Sequence, residues 1–262
     1  MKFGKRLKQQ IEDTLPDWRD KFLLYKDLKK LVRVISRSAD ANVHFDADID
    51  VEVKFVYLLN SEIDKFNSFF MEQEEDFVIR HRELRERIDR VLKSWGRDGS
   101  GREYHSVVEM GNIREDIVNL HGEMVLLVNY SNVNYIGLGK ILKKYDKRTG
   151  GLLRVSFIEK ILEQPFYKTD SISKMIKECE SSIDAVFPAR REAEEGMKKG
   201  KVISAGGEGI LRNTVSALIS MEQIRRGSST YSHFSLPPLN LSQSDFIHSF
   251  QLNSPIPILH LL

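Results

Sequence analysis

Apolar residues recur along the first two-thirds of the chain in a helical rhythm. From Val56 they step through Leu59, Ile63, Phe66, Phe70, Phe77, Leu84, Ile88, Val91 and Trp95 in alternating threes and fours, with Gln73 and His81 filling two of the slots. The consecutive fours from Gln73 to Phe77 to His81 form a stutter, which locally unwinds a coiled coil and leaves a straight stretch. One long helix is therefore expected near 50–98, stopped by the glycines of WGRDGSGRE. A second follows, because Met110, Ile113, Ile117, Leu120, Met124 and Leu127 keep the same alternation; it should run to about Asp146, ahead of Gly150 and Gly151. At 1.5 Å per residue each rod spans roughly 65 Å, and the short glycine-rich connection makes the pair an antiparallel hairpin.

The flanking elements are shorter. Leu7 and Ile11 share one face of a first helix, and Pro16 interrupts it. Phe22, Leu23, Leu28, Leu31, Val32 and Ile35 read as the buried stripe of a second helix that fades at SRSADAN. Two more short helices are expected around 156–164 and 170–186, before Pro188. The fold class is all-α: an N-terminal short helical hairpin packed on two very long antiparallel helices, with additional short C-terminal helices. The pattern divides the chain into a helical domain at 1–187, a charged, glycine-rich linker at 188–207 and a C-terminal segment at 208–262. That segment holds one amphipathic helix at about 208–226, with Leu211, Val215, Leu218 and Met221 on one side. From Ser228 onward Asp245 alone is charged among thirty-five residues and four of the seven prolines occur, the composition of an irregular tail suited to docking on a partner.

Composition first excludes, then points. The 262 residues carry 40 Lys+Arg against 38 Asp+Glu, a formal charge of +2, which argues against a surface that is basic throughout. The single cysteine, Cys179, permits no internal disulfide and fits a reducing compartment. MVLLVNY at 124–130 is far too short for a membrane helix, and MKFGKRLKQQ is followed by charge rather than by the apolar run of a signal peptide. A nuclear or cytoplasmic protein without a membrane span is expected. The near-neutral total, however, is a cancellation. Residues 1–38 hold eleven Lys/Arg and five Asp/Glu, whereas 45–76 hold ten acidic residues against Lys54 and Lys65. A third cluster places Lys140, Lys143, Lys144, Lys147 and Arg148 against Asp146 alone.

Catalytic signatures are scarce. GLGK at 137–140 lacks the first glycine and the Ser/Thr of a phosphate loop and sits in a helix. The seven histidines show no metal-ligand spacing, so no metal and no cofactor is expected and the enzyme class is the weaker one. His81 reads as a core or boundary residue and Cys179 as a small, half-buried side chain. The informative constellation is the lysine stripe. At 100° per residue Lys140, Lys143, Lys144 and Lys147 fall within an arc of about 100° on one helix face. Like charges three and four apart cost a few tenths of a kcal/mol each, so the stripe is not a stability device. Two readings of it stand: a polyanion site, or a solvated helix end whose cations complement the macrodipole. In the N-terminal island Tyr25 and Lys29 share a face, with Lys26 and Lys30 beside it, and a phenol next to a point-charge lysine suits a ligand with many phosphates. Folding the short helices back on the far end of the hairpin would make the two islands one bowl.

The two islands, MKFGKRLKQQIEDTLPDW…YKDLKKLV at the start and KILKKYDKRTG at 140–150, with two long helices between them, resemble the SPX domain over roughly residues 1–185. SPX domains are helical sensors of inositol polyphosphates and pyrophosphates. The resemblance implies that Tyr25, Lys29 and Lys140 form the core of a phosphate-binding cluster and that Lys143, Lys144 and Lys147 supply the surrounding lysine surface. It also places Lys2 at the helix start, where exposed amides assist phosphate binding. The implied ligand is inositol hexakisphosphate or an inositol pyrophosphate. The remaining residues, without transmembrane helices, zinc spacing or catalytic motif, match the stand-alone plant type. Such proteins bind Myb coiled-coil transcription factors of the phosphate starvation response when the inositol phosphate is present, and keep them from DNA. Two other readings of the basic surface stand beside this one: direct nucleic-acid binding, disfavoured by the acidic 45–76 stretch, and a structural coiled-coil adaptor. Self-association through the 208–226 helix is also open.

Overall fold

The computed structural model describes residues 3–41, 45–94, 100–186 and 213–219. Every regular element among them is helical. Helix α1 covers Phe3–Thr14 and a 3-10 turn covers Pro16–Lys21; α2 is Tyr25–Ala41, α3 Phe45–Ser94 and α4 Ser100–Thr149. Helix α5 is Leu153–Leu162, a second 3-10 turn is Pro165–Tyr167, α6 is Asp170–Val186, and a short helix at 213–219 is α7. The two long helices have 50 residues each, about 75 Å of rod. Helix α3 begins earlier than the periodicity suggests, at Phe45.

The seam read from the sequence is the seam that packs. Leu59, Ile63, Phe66, Phe70, Phe77, Leu84, Ile88 and Val91 are all buried against α4, and His81 keeps its slot at 7% exposure. The seam starts at Phe55 rather than Val56, because Phe55 stacks on Tyr145 of α4 with ring centres 5.0 Å apart. Trp95, the last slot, lies outside the described residues. Helix α4 is buried on all sides from Met124 to Ser131, since α2, α3, α5 and α6 all pack on it. That explains the apolar run at 124–130: a helix apolar all round is surrounded by protein. None of the described helices is long and apolar enough to cross a membrane.

Phe22 and Leu23 are buried as expected, but they precede α2 instead of lying on it. The extended 22–24 segment is held to the long helices by three backbone contacts. Leu23 N–H donates to Asn134 Oδ1 at 3.0 Å, Leu24 N–H donates to Glu62 Oε2 at 2.8 Å, and Lys65 Nζ donates to the Phe22 carbonyl at 2.9 Å. Above it the Tyr130 hydroxyl donates to the Lys21 carbonyl at 3.0 Å, with Trp18, Phe22, Phe66 and Phe69 set edge-on to its ring. Burial raises the Tyr130 hydroxyl far above its ordinary pKa, so it acts as a fixed donor.

Helix α4 ends at Gly150, whose φ of 72° is the left-handed value a glycine C-cap needs. Residue Asp146 then turns outward to cap α5, accepting the Leu153 N–H at 3.0 Å. Helix α6 settles over α3 and α4, placing Glu178 3.6 Å from both His81 and Arg85, and Glu180 3.3 Å from His121. Between these carboxylates Cys179 is 1% exposed, and burial pushes its thiol up to about 12, an inert core group. Only part of the expected 208–226 helix falls in the described residues, as α7. Its buried side chains are Thr214, Ala217 and Leu218; of the expected Leu211, Val215, Leu218 and Met221 stripe, Leu218 is buried and Val215 partly so. Thr214 Oγ1 donates to the carbonyl of Gly122 on α4, at 3.4 Å. Leu211, Met221, the 188–207 linker and the tail from Ser228 lie outside the described residues.

Candidate polyanion site

The last turns of α4 carry the lysine stripe, and α1 and α2 close over its beginning. Close approach is possible because α4 offers Gly137 there: a Cβ at that position would come 2.6 Å from Leu23 Cδ2. Leu23 leads directly into Tyr25, the first residue of α2. The Tyr25 ring packs edge-on against Phe3 of α1 with centroids 5.0 Å apart. Across α1, Gly4 leaves room for the same ring, 3.1 Å from where its Cβ would stand. The Phe3 ring in turn lies under Lys140, whose Nζ is 5.3 Å from the ring centre, within cation–π range. Tyr25, Phe3 and Lys140 thus form one contact chain across three helices.

The electrostatics of that chain are one-sided. The Lys140 ammonium is held below its ordinary pKa by burial first, and then by the positive charges of Lys143 and Arg6. No acid enters this balance. Burial likewise raises the Tyr25 hydroxyl, keeping it protonated as a hydrogen-bond donor. Lys144 is partly buried, whereas Lys143 and Lys147 are exposed at the end of the stripe. The one acid of the cluster, Asp146, is committed to the α5 amides. Arg148 reaches across to α2, its Nη1 3.4 Å from Ser36 Oγ, so the basic surface continues from α4 onto α2. Lys29 is partly buried one turn after Tyr25 on the same face. Lys2 lies outside the described residues.

A partly buried lysine held among cations, beside a protonated phenol, is an environment that an anion stabilises. Two contributors escaped the sequence reading. Phe3 and Arg6 are one turn apart on α1, and Arg6 entered that reading only as part of a local charge sum. Their role was not visible because nothing in the sequence says which α1 face meets α4. A groove of about 510 Å³ between α3 and α6, lined by His81, Arg82, Arg85, Lys174 and Glu178, shares no residue with the stripe. Its arginines face acids, with Arg82 3.2 Å from Glu86 and Arg85 3.6 Å from Glu178, so it presents no net cationic site. Among the described residues no cluster of three or more His, Cys, Asp or Glu is arranged to hold a metal.

Comparison with known proteins gives the same region a family. The model of the family described as SPX domain matches residues 1–48 and 93–161. The chain is 55% identical to SPX domain-containing protein 3 of Arabidopsis thaliana, over 98% of this chain and 100% of that protein. It is 52% identical to SPX domain-containing protein 3 of Oryza sativa subsp. japonica (91% and 88% covered) and 47% identical to SPX domain-containing protein 1 of Arabidopsis thaliana (94% and 94%). Among solved structures, the SPX domain of Chaetomium thermophilum Glycerophosphodiester Phosphodiesterase 1, in complex with inositol hexakisphosphate, has a similar fold. Its TM-score is 0.52 at 24% identity, covering 71% of this chain and 99% of that one.

Proposed function

The chain belongs to the SPX domain family, and from that premise we propose that it is a sensor of inositol polyphosphates. On this reading its ligand-bound form binds and inhibits a Myb coiled-coil transcription factor of the phosphate starvation response. The observation that carries the ligand half is the environment of Lys140: a partly buried ammonium with Lys143 and Arg6 as its charged neighbours, tied through Phe3 to the Tyr25 phenol. An inositol ring bearing six phosphates supplies the missing negative charge compactly. It accepts from Tyr25, Lys29 and Lys140 in the bowl and from Lys143, Lys144 and Lys147 on the rim, with Lys2 at the start of the first helix. Inositol hexakisphosphate held by the fold relative supports the same class of ligand.

The partner half follows from charge. A ligand with more phosphate oxygens than the bowl satisfies presents the remainder outward, where they bridge to basic residues of the partner. Ligand-driven association then measures the ligand's differential affinity for the complex over the free protein. The relatives carry no catalytic name; the role proposed here is one of binding, exercised in the nucleus or cytoplasm. Calorimetric titration of the full chain with inositol hexakisphosphate, with and without the partner's coiled coil, tests both halves. Micromolar or tighter ligand binding, and partner binding that requires the ligand, are expected. Full affinity after Lys140, Lys143, Lys144 and Lys147 are all changed to Ala would overturn the site. Salt-sensitive binding of random duplex DNA without the ligand would favour the nucleic-acid reading instead.

A further inference from the structure

Ser36 stands where the end of α2 meets the last turn of α4. Its hydroxyl donates to the Arg33 carbonyl at 3.3 Å and accepts from Arg148 Nη1 at 3.4 Å. Around α2, Tyr25, Lys29, Arg33 and Ser36 fall within an arc of about 80°, so the serine continues the face that lines the bowl, roughly 10 Å beyond Lys29. Arg33 is exposed one turn before it, and Arg148 is exposed on α4. Among the described residues neither arginine meets a carboxylate. The nearest acids along the chain are committed elsewhere, Asp27 to Lys30 at 2.7 Å and Asp146 to the α5 amides.

A neutral hydroxyl gives these two guanidinium groups little to hold. A phosphate in its place would carry a charge of about −1.5 to −2 and three acceptor oxygens, the acceptor that paired arginines bind best. The sequence supplies a route to it. Arg33 precedes Ser36 by three residues, the spacing that arginine-directed protein kinases read through acids in their own clefts. Such an enzyme needs the acceptor segment opened, and the end of α2 is cheap to open. Of residues 33–36 Ile35 alone is buried, and the helix ends at Ala41. Opening that turn releases one buried side chain and the 3.4 Å contact to Arg148, the low end of local stability.

We propose that Ser36 is a phosphorylation site and that its phosphate closes the rim of the bowl against the ligand. The Ser36 oxygen attacks the γ-phosphorus of a nucleoside triphosphate held by the kinase. The Oγ–P bond forms, the bond from that phosphorus to the β–γ bridging oxygen breaks, the nucleoside diphosphate leaves and the hydroxyl proton passes to the kinase's catalytic carboxylate. Arg148 and Arg33 then pair with the phosphoserine and tie α2 to α4. Its charge, on the face that carries Lys29, repels an inositol polyphosphate. The effect on the ligand rests on the inositol polyphosphate reading, whereas the modification and the α2–α4 tie do not.

Incubation of the full chain with ATP and an arginine-directed kinase, followed by mass spectrometry of its peptides, tests the site. Phosphate on Ser36 is expected, and Arg33→Ala should reduce the transfer at least about tenfold. A full chain carrying phosphoserine at position 36 should bind inositol hexakisphosphate about tenfold more weakly than the unmodified chain in calorimetry, whereas Ser36→Ala stays within about twofold. Hydrogen exchange at the end of α2 should slow in the phosphorylated chain, and Arg148→Ala should abolish that slowing. No phosphate on Ser36, equal ligand affinity with and without it, or unchanged exchange would each overturn the inference. An unmodified chain that binds no inositol hexakisphosphate would overturn the ligand reading instead, and the labelling and exchange results would then decide the site.

Discussion

Gly137 and Leu23 interlock at the point where α2 enters the fold: the leucine's Cδ2 occupies the space, 2.6 Å away, that a Cβ on the glycine would need. Leu23 has little freedom to yield. It is 5% exposed, and its N–H is fixed on Asn134 Oδ1 at 3.0 Å. Replacing Gly137 by Ala gains up to about 1 kcal/mol of helix propensity but forces the leucine off its rotamer, an overpacking cost of about 1–3 kcal/mol. A net loss of about 1 kcal/mol in chemical denaturation is expected. Because Tyr25 lies two residues beyond Leu23 and Lys140 one turn beyond Gly137, affinity for inositol hexakisphosphate should fall several-fold in the same variant. Unchanged stability and affinity would show that the close approach does not position the bowl.

Lys140 is expected to separate binding from stability. Its ammonium is disfavoured in the folded chain by burial and by Lys143 and Arg6, so Lys140→Ala removes a strained charge while deleting a ligand contact. The variant should melt no lower than the parent and bind inositol hexakisphosphate at least tenfold more weakly, consistent with loss of about 1.4 kcal/mol or more. The lowered pKa also has a pH signature. The penalty on the charged form is fully present at neutral pH and disappears as pH rises through the folded pKa toward 10.5, so stability contributed by this site increases over that window. A polyanion reverses the disfavour, and binding measured just below pH 10.5 should therefore take up protons. Calorimetry in two buffers of different ionisation heat reads that uptake, and Lys140→Ala should diminish it.

The long-range organisation was legible because two 50-residue helices leave an unmistakable period, down to His81 in its slot. The stripe from Lys140 to Lys147 was equally legible, since it depends only on spacing along one helix. What could not be read is where chains cross. Phe22 and Leu23 look like helix residues by composition, yet Glu62, Lys65 and Asn134 hold them extended, and these partners are 38 to 111 positions away. Phe3 and Arg6 contribute to the bowl only through the seating of α1 on α4. For α7 the stripe was legible at Leu218, which is buried, but not at Thr214, whose burial depends on a hydrogen bond to the distant Gly122 carbonyl.

His81 gives the fold an acid limit. Burial, the largest effect, lowers its pKa; Glu178 opposes this and Arg85 reinforces it. A depressed folded pKa means the unfolded chain binds the proton more readily. Stability is therefore whole above about pH 6.5 and is lost as pH falls from there through the folded pKa. Urea denaturation at pH 7.5 and pH 5.5 should show a smaller difference for His81→Gln than for the parent. An identical pH dependence in both would mean that the imidazole titrates as it does in the unfolded chain.

Glu62 holds the entrance of α2 from below. At 3% exposure its carboxylate accepts from the Leu24 N–H at 2.8 Å and from Lys65 Nζ at 2.8 Å, while Lys65 donates to the Phe22 carbonyl. Such a group is worth more than a surface pair because removing it strands its partners. Breaking a buried pair costs about 3–5 kcal/mol, and the 25% exposure of Lys65 lets water recover part of that. Glu62→Ala should therefore cost about 2–3 kcal/mol, and Glu62→Gln less, since the amide oxygen still receives Leu24. Both changes sit on α3, far along the chain from the lysine stripe, yet the 22–24 segment they release carries Tyr25. Ligand affinity is expected to fall with stability in Glu62→Ala and to recover with it in Glu62→Gln. If affinity held while stability dropped, the path from Glu62 through Leu24 to Tyr25 would not be what sets the bowl.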